Sequence, residues 1–279
     1  MKVKIANNAG FCFGVKRAMN MAWHELEERE NGIYALGPLI HNKQAVSKYE
    51  DRGLKTVNDL NDIPSNESVI IRSHGVGEDI YIQSKEKDIN VIDTTCPFVK
   101  KIHNIAKDYS EKGYKIIVIG DKNHPEVIGI NGWCNEDAII IKTLDEIDQL
   151  NLDANKKYCV VSQTTINLDL YNSIVEKLSE RLNDIVFKNT ICSATKERQF
   201  SAKELSKEVD CMIVIGGKHS SNTQKLVNIC SGIVPTFAIE TKDELDINEL
   251  KKFNIIGVTA GASTPDWIIT EVINFIESI

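Results

Sequence analysis

This 279-residue chain has no long apolar run: nothing in it approaches the ~18–20 consecutive residues that a membrane-spanning helix requires. Its first residues, MKVKIANNAGFCF, lack the apolar core and the small-residue cleavage site of a secretory leader, so a cytoplasmic protein is expected. Positive charge is scarce as well. The formal net charge is −7, and the longest basic cluster, FVKKIHNIAK, has the spacing of the polar face of a helix, not of a nucleic-acid-binding stripe. Close cysteine pairs of the C-x2-C kind are missing, which excludes zinc knuckles and ferredoxin-type clusters. Cysteine itself is not scarce. There are seven, an odd number, and in a reducing compartment such cysteines are unpaired, catalytic or metal-bound rather than disulfide-linked.

Three of the seven share one address. Cys12, Cys96 and Cys192 each follow a strand-like run and open a helix-like one. After each come an apolar strand, a glycine and, four positions later, a polar residue: Gly37 and His41, Gly120 and His124, Gly216 and Ser220. The distances from cysteine to polar residue are 29, 28 and 28 positions. A helix and a connection then lead to a second apolar strand that ends in polar groups: His74 in SVIIRSHGV, Thr164 and Thr165 in YCVVSQTTI, Ser263 in IIGVTAGAS. Strands alternating with helices in this way imply parallel sheets with right-handed crossovers. The third repeat has no cysteine segment of its own, and KVKIANNAGFC stands alone at the N-terminus. The expected fold is therefore α/β: three pseudo-threefold-related modules with small parallel sheets around a central cavity, closed by the N-terminal strand. The boundaries are 1–12 for that strand and 13–96, 97–192 and 193–279 for the modules.

Ligands of such sheets bind beyond the carboxyl ends of the strands, where all of these polar residues fall. Three thiolates from equivalent places, with no fourth, suit a [4Fe–4S] cluster that keeps one iron open to a substrate oxygen. Cys159, Cys211 and Cys230 lie inside apolar patterns and read as small core residues; Cys134 in NGWCNED is undecided. His41, His74 and His124 sit at repeat positions and point to an anionic ligand, to which imidazoles donate. Ser220, Ser221 and Asn222 add donors just before a helix, a natural anion site, and Ser263 has the same setting before Pro265. No Lys or Arg occupies one of these positions; Arg72 and Lys218 are the nearest. Glu126, two residues past His124, is the carboxylate placed to give a proton.

With these residues in place, the chain resembles the 4-hydroxy-3-methylbut-2-enyl diphosphate reductase (LytB/IspH) family. The segments that carry the resemblance are GFCFGVKRA, GPLIHN, RSHGV, DTTCPFV, HPEV, SQTT, ICSAT, SSN and TAGASTP, in order from residue 10 to 265. The resemblance implies an oxygen-sensitive [4Fe–4S] cluster on Cys12, Cys96 and Cys192, which in air decays to [3Fe–4S] or is lost. It implies a diphosphate held by His41, His74, Ser220, Asn222 and Ser263, with Ser221 and His124 completing the pocket. The substrate hydroxyl would bind the open iron, and Glu126, with Thr164 as relay, would protonate it. The implied reaction is reductive dehydration of (E)-4-hydroxy-3-methylbut-2-enyl diphosphate to isopentenyl and dimethylallyl diphosphate, the last step of the methylerythritol phosphate route. Reduced ferredoxin or flavodoxin would supply the electrons; neither nucleic acid nor membrane is an expected partner. A three-cysteine cluster lyase of the quinolinate synthase kind is the alternative, although its dicarboxylate substrates would call for arginines at the repeat positions.

Overall fold

The computed structural model describes residues 1–29 and 32–279. The first helical run of the sequence extends to Glu30, which lies outside the described residues. In chain order, β1 (Lys2–Ile5) leads to α1 (Phe13–Glu28), β2 (Ile33–Leu36), α2 (Lys43–Glu50), β3 (Lys55–Val57), β4 (Ser68–Ile71), α3 (Glu78–Glu86) and β5 (Asn90–Asp93). Next come α4 (Pro97–Glu111), β6 (Lys115–Ile119), α5 (Pro125–Gly132), β7 (Ile139–Ile141), α6 (Glu146–Gln149), β8 (Lys157–Ser162), α7 (Leu168–Arg181) and β9 (Asp184–Phe187). The remainder is α8 (Ser193–Ser206), β10 (Cys211–Ile215), α9 (Ser221–Ser231), β11 (Thr236–Ile239), α10 (Ile247–Leu250), β12 (Ile255–Ala260) and α11 (Asp266–Glu277).

The strands form three four-stranded, wholly parallel sheets of one topology: β3-β2-β4-β5, β7-β6-β8-β9 and β11-β10-β12-β1. In the last, the N-terminal strand takes the place that β5 and β9 hold in the others, with Val3 beside Ile256 and Ile5 beside Val258. The α/β class and the closure by β1 are as the sequence indicated. The edge strands β3, β7 and β11 were not: the sequence reading has only a helix and a connection there. Each is three or four residues long and partly exposed, too short for a periodic signal.

The inner strands of the second and third sheets are continuous apolar runs because helices cover both faces of those sheets. In the second sheet, Ile117, Ile119, Tyr158 and Val160 face α7 through Tyr171, Ile174 and Leu178. Their neighbours Ile116, Val118, Cys159 and Val161 face α4 and α5 through Ile102, Ala106, Val127 and Ile130. The third sheet repeats the pattern, with α11 on one side and α8 and α9 on the other. The chain divides into two compact units, one of residues 1–16, 40–52 and 193–279, the other of residues 17–39 and 53–192. Thus α2, which lies between β2 and β3 in sequence, belongs to the unit that holds the third sheet. Among the described residues no helix is long and apolar enough to cross a membrane.

Ile213 on β10 is fully buried, whereas Ile247 is 38% exposed. Ile213→Ala is expected to cost about 2–5 kcal/mol in urea unfolding, and Ile247→Ala about 0.5 kcal/mol or less.

Candidate active site

Each of the three cysteines immediately precedes a helix: Cys12 before α1, Cys96 as the N-cap of α4, Cys192 before α8. The same backbone bond holds all three. The N–H of Cys12 donates to the carbonyl of Ala262 (3.4 Å), that of Cys96 to Ser73 (3.0 Å) and that of Cys192 to Thr164 (3.1 Å). Each acceptor lies two residues beyond the end of the neighbouring strand, β12, β4 and β8. The next residues are Ser263, His74 and Thr165, so each thiol is tied to the turn that carries a polar group.

In the first unit, Cys12 ends a loop with two left-handed residues, Asn8 (φ 62°) and Gly10 (φ 92°). Arg198, 2% exposed on α8, donates from Nε to the carbonyl of Asn8 and from Nη2 to that of Gly10, both at 2.8 Å. Ser220 caps α9, and Asn222, the second residue of that helix, is buried with neither amide atom partnered among the described residues. Buried amide atoms without partners call for an explanation, and a bound ligand is one. Thr223 packs into the space left by Gly216 and Gly261, and Thr264 Oγ1 donates to the Ile215 carbonyl at 2.9 Å. These contacts seat the start of α9 beside the turn of Ser263. The Gly217 Cα lies so close to the His41 carbonyl that a β-carbon would overlap it. Cys12, His41, Ser220, Ser221, Asn222 and Ser263 therefore all belong to this unit.

The second unit holds His74, Cys96, His124, Glu126, Thr164, Thr165 and Cys192. His124 caps α5: its Nδ1 accepts the N–H of Glu126 at 3.2 Å, which leaves Nε2 as the ring's donor. The rings of His74 and His124 meet edge to face at 5.5 Å. Glu126 is 2% exposed. The N–H of Thr164 lies 2.6 Å from its Oε1 and the Thr164 hydroxyl 2.7 Å from its Oε2. Burial pushes its carboxyl up to about 7, against the two Thr164 bonds that oppose the rise. Thr164 thus binds the acid with its N–H and hydroxyl and Cys192 with its carbonyl. Thr165 has a different partner, the Nε2 of buried Gln163, whose Oε1 accepts the N–H of Asp121. Arg17 on α1 donates to the carbonyls of Thr94 and Thr95, just before Cys96, at 3.4 and 3.3 Å.

The sequence reading missed four features. Arg17, Arg198 and Gln163 hold the loops of the cysteines and of Thr165, and a lone arginine in a polar helix gives no signal of this. Gln44, Glu126 and Asn222 occupy one equivalent place, the second residue of α2, α5 and α9. The capping pattern could have exposed that match. Of the two cations near these positions, Lys218 pairs with Glu244 at 2.7 Å, and Arg72 is half-buried with its guanidinium over Gly37. The other four cysteines are buried, and burial lifts the thiols of Cys134 and Cys159 to about 11 and Cys211 to about 12. They are core residues, Cys134 among them.

The fold and these motifs define a member of the LytB protein family: the family model matches residues 3–277, and the chain belongs to that family. A curated relative from Clostridioides difficile (strain 630), named 4-hydroxy-3-methylbut-2-enyl diphosphate reductase, is 68% identical over 279 residues, all of both chains. One of the same name from Alkaliphilus oremlandii (strain OhILAs) is 52% identical, again over all of both. The solved E-1-hydroxy-2-methyl-but-2-enyl-4-diphosphate reductase of Plasmodium falciparum has a TM-score of 0.93 and 34% identity, covering 98% of this chain and 87% of its own. A second solved structure, described as (E)-4-hydroxy-3-methyl-but-2-enyl diphosphate reductase, the terminal enzyme of the non-mevalonate pathway, has a TM-score of 0.73 and 39% identity over all of both chains.

A carboxyl raised on folding from 4.5 to about 7 favours the folded state through its bound proton. That contribution is complete below pH 4.5 and lost as the pH rises through 7. It amounts to about 3 kcal/mol, at ~1.4 kcal/mol per unit. Glu126→Gln is expected to remove it, so urea unfolding from pH 4.5 to 8 should show the parent losing stability relative to the variant by about that amount.

Proposed function

We propose that this chain reductively dehydrates (E)-4-hydroxy-3-methylbut-2-enyl diphosphate to isopentenyl and dimethylallyl diphosphate, the final step of the methylerythritol phosphate route. The observation that carries the reading is the set of three half-buried cysteines, each at a helix start and each tied by its N–H to a turn of polar groups, while the other four are sealed in the core. That donor set fits a [4Fe–4S] cluster held by Cys12, Cys96 and Cys192 with one iron left open. When bound, the cluster supplies electrons singly and a Lewis-acid site for a substrate oxygen.

The remaining residues bind the substrate and manage its protons. His41, His74, Ser220, Ser221, Asn222 and Ser263 offer N–H and O–H donors to the diphosphate, aided by the free N–H groups at the start of α9. With Nδ1 committed to the helix, His124 donates from Nε2. Thr165, equivalent to His74 and Ser263, belongs to the same polar set. Glu126, kept protonated near neutral pH by its burial, gives its proton to the departing hydroxyl, and the Thr164 hydroxyl orients and relays it. The balance is two electrons and two protons in and one water out. The electron donor in this reading is reduced ferredoxin or flavodoxin.

The test begins with iron. Serine at Cys12, Cys96 or Cys192 is expected to abolish iron–sulfur absorbance in protein purified without oxygen, whereas Cys159→Ser keeps it. Iron loss only in the Cys159 variant would overturn the ligand set. Glu126→Gln is expected to retain iron and bind substrate but to lose turnover by about 10²–10⁴-fold, the range of a lost proton donor; full activity would remove Glu126 from the mechanism.

A further inference from the structure

His103 has no part in the chemistry above, yet it is the most deeply buried of the six histidines, 2% exposed on α4, with Nε2 unpartnered among the described residues. Its surroundings are unusual in being made of backbone. A β-carbon on Gly75 would overlap the His103 ring, and Gly75 is held in the left-handed region at φ 71°. A β-carbon on Gly129 would stand 3.4 Å from His103 Nε2, 3.4 Å from the Val76 nitrogen and 3.5 Å from the Gly75 carbonyl carbon. The ring stacks on Trp133, with centroids 5.5 Å apart and planes 19° from parallel. Trp133, at the end of α5, donates from Nε1 to the Val76 carbonyl at 2.8 Å. A second glycine pair continues the seam: a β-carbon on Gly132 would lie 2.6 Å from the Gly77 Cα.

Three elements meet at this ring. Cys96 opens α4, the helix that carries His103. Gly75 directly follows His74, whose ring meets that of His124. Gly129 is one turn beyond Glu126 on α5, on the same face of the helix. The geometry points to His103 as a positioning residue: it fills the slot left by Gly75 and Gly129 and so seats the His74 turn and the helix of His124 and Glu126 on the helix of Cys96. Only a flat ring fits between two glycine backbones and an indole, and burial holds it neutral, with its pKa pushed down to about 4. Of the charged groups around the slot and its seam, Lys100 pairs with Asp93 at 2.7 Å and Lys107 with Glu78 at 2.5 Å beside Trp133, while Asp79, against Gly77 and Gly132, accepts from Gln83 Nε2 at 3.2 Å. Glu126 itself is faced by Thr164 and His124.

The roles of His74 and Glu126 in catalysis rest on the reductase reading; the seating does not. The test therefore reads the Glu126 carboxyl directly, by titrating the infrared carbonyl band of the full-length protein that Glu126→Gln abolishes. A loosened seat admits water to Glu126 and lowers its midpoint. In H103A and H103Q the midpoint is expected to fall from about 7 by about one unit or more toward 4.5. A role confined to stability would lower the melting temperature and leave the midpoint in place, and an unmoved midpoint in a folded His103 variant overturns the proposal. Should neither variant fold, W133F decides, since it keeps an aromatic ring against His103 and loses the bond to Val76. A downward shift of about half a unit there supports the seat, and no shift overturns it. Turnover measurements on the same variants fail separately if the reductase reading is wrong.

Discussion

The interaction on which the arrangement depends is the backbone bond from each cysteine N–H to the carbonyl two residues past the end of a neighbouring strand. It is an ordinary hydrogen bond, worth about 1 kcal/mol by itself. Its importance is geometric. A parallel strand delivers its turn to the carboxyl edge of the sheet, and the cysteine segment lies alongside that turn because β5, β9 and β1 are the next strands in their sheets. One sheet topology, used three times, therefore produces a thiol beside Ser263, a thiol beside His74 and a thiol beside Thr165. The closure of the third sheet by β1 gives Cys12 the same setting as the other two.

What differs among the repeats is the chemistry at a fixed place. The second residue of the helix after the Gly-x-x-x-polar turn is Gln44, Glu126 or Asn222. Only Glu126 is ionisable, and only it receives both the N–H and the hydroxyl of a threonine. A carboxyl in water would be ionised well below neutrality; here burial outweighs two favourable bonds and keeps the proton. Asn222 in the same place has no charge to desolvate and carries two buried amide atoms without partners among the described residues. The repeat thus supplies position, and single side chains assign acid to one unit and donors to the other.

The sequence made the inner strands legible because a run buried on both faces is apolar throughout, as in KIIVI of β6 and CMIVI of β10, and these two runs end at Gly120 and Gly216. The cysteine spacing was legible for the same reason, since it counts whole modules. The edge strands β3, β7 and β11 left no trace in three or four half-exposed residues. Nor did the grouping of residues 40–52 with the third sheet's unit, which is a matter of packing between distant segments. Arg198 reads as one more charge on a polar helix until its guanidinium is found on the carbonyls of Asn8 and Gly10. His103 likewise reads as a surface helix residue; its slot exists only because Gly75 and Gly129 face it from two other elements. In the pair Thr164–Thr165 the residue types are identical, and only the fold distinguishes the partner of Glu126 from the partner of Gln163.

The central claim is that three helix-start thiols and one buried acid together make a reductase of an allylic diphosphate. The most direct measurement is an anaerobic assay of iron-loaded protein with (E)-4-hydroxy-3-methylbut-2-enyl diphosphate and a reduced viologen dye. The expected result is oxidation of two one-electron dye molecules for each substrate consumed, with isopentenyl and dimethylallyl diphosphate as the products. Fully iron-loaded protein that oxidises no dye above the substrate-free rate, or that consumes substrate without consuming electrons, would contradict it.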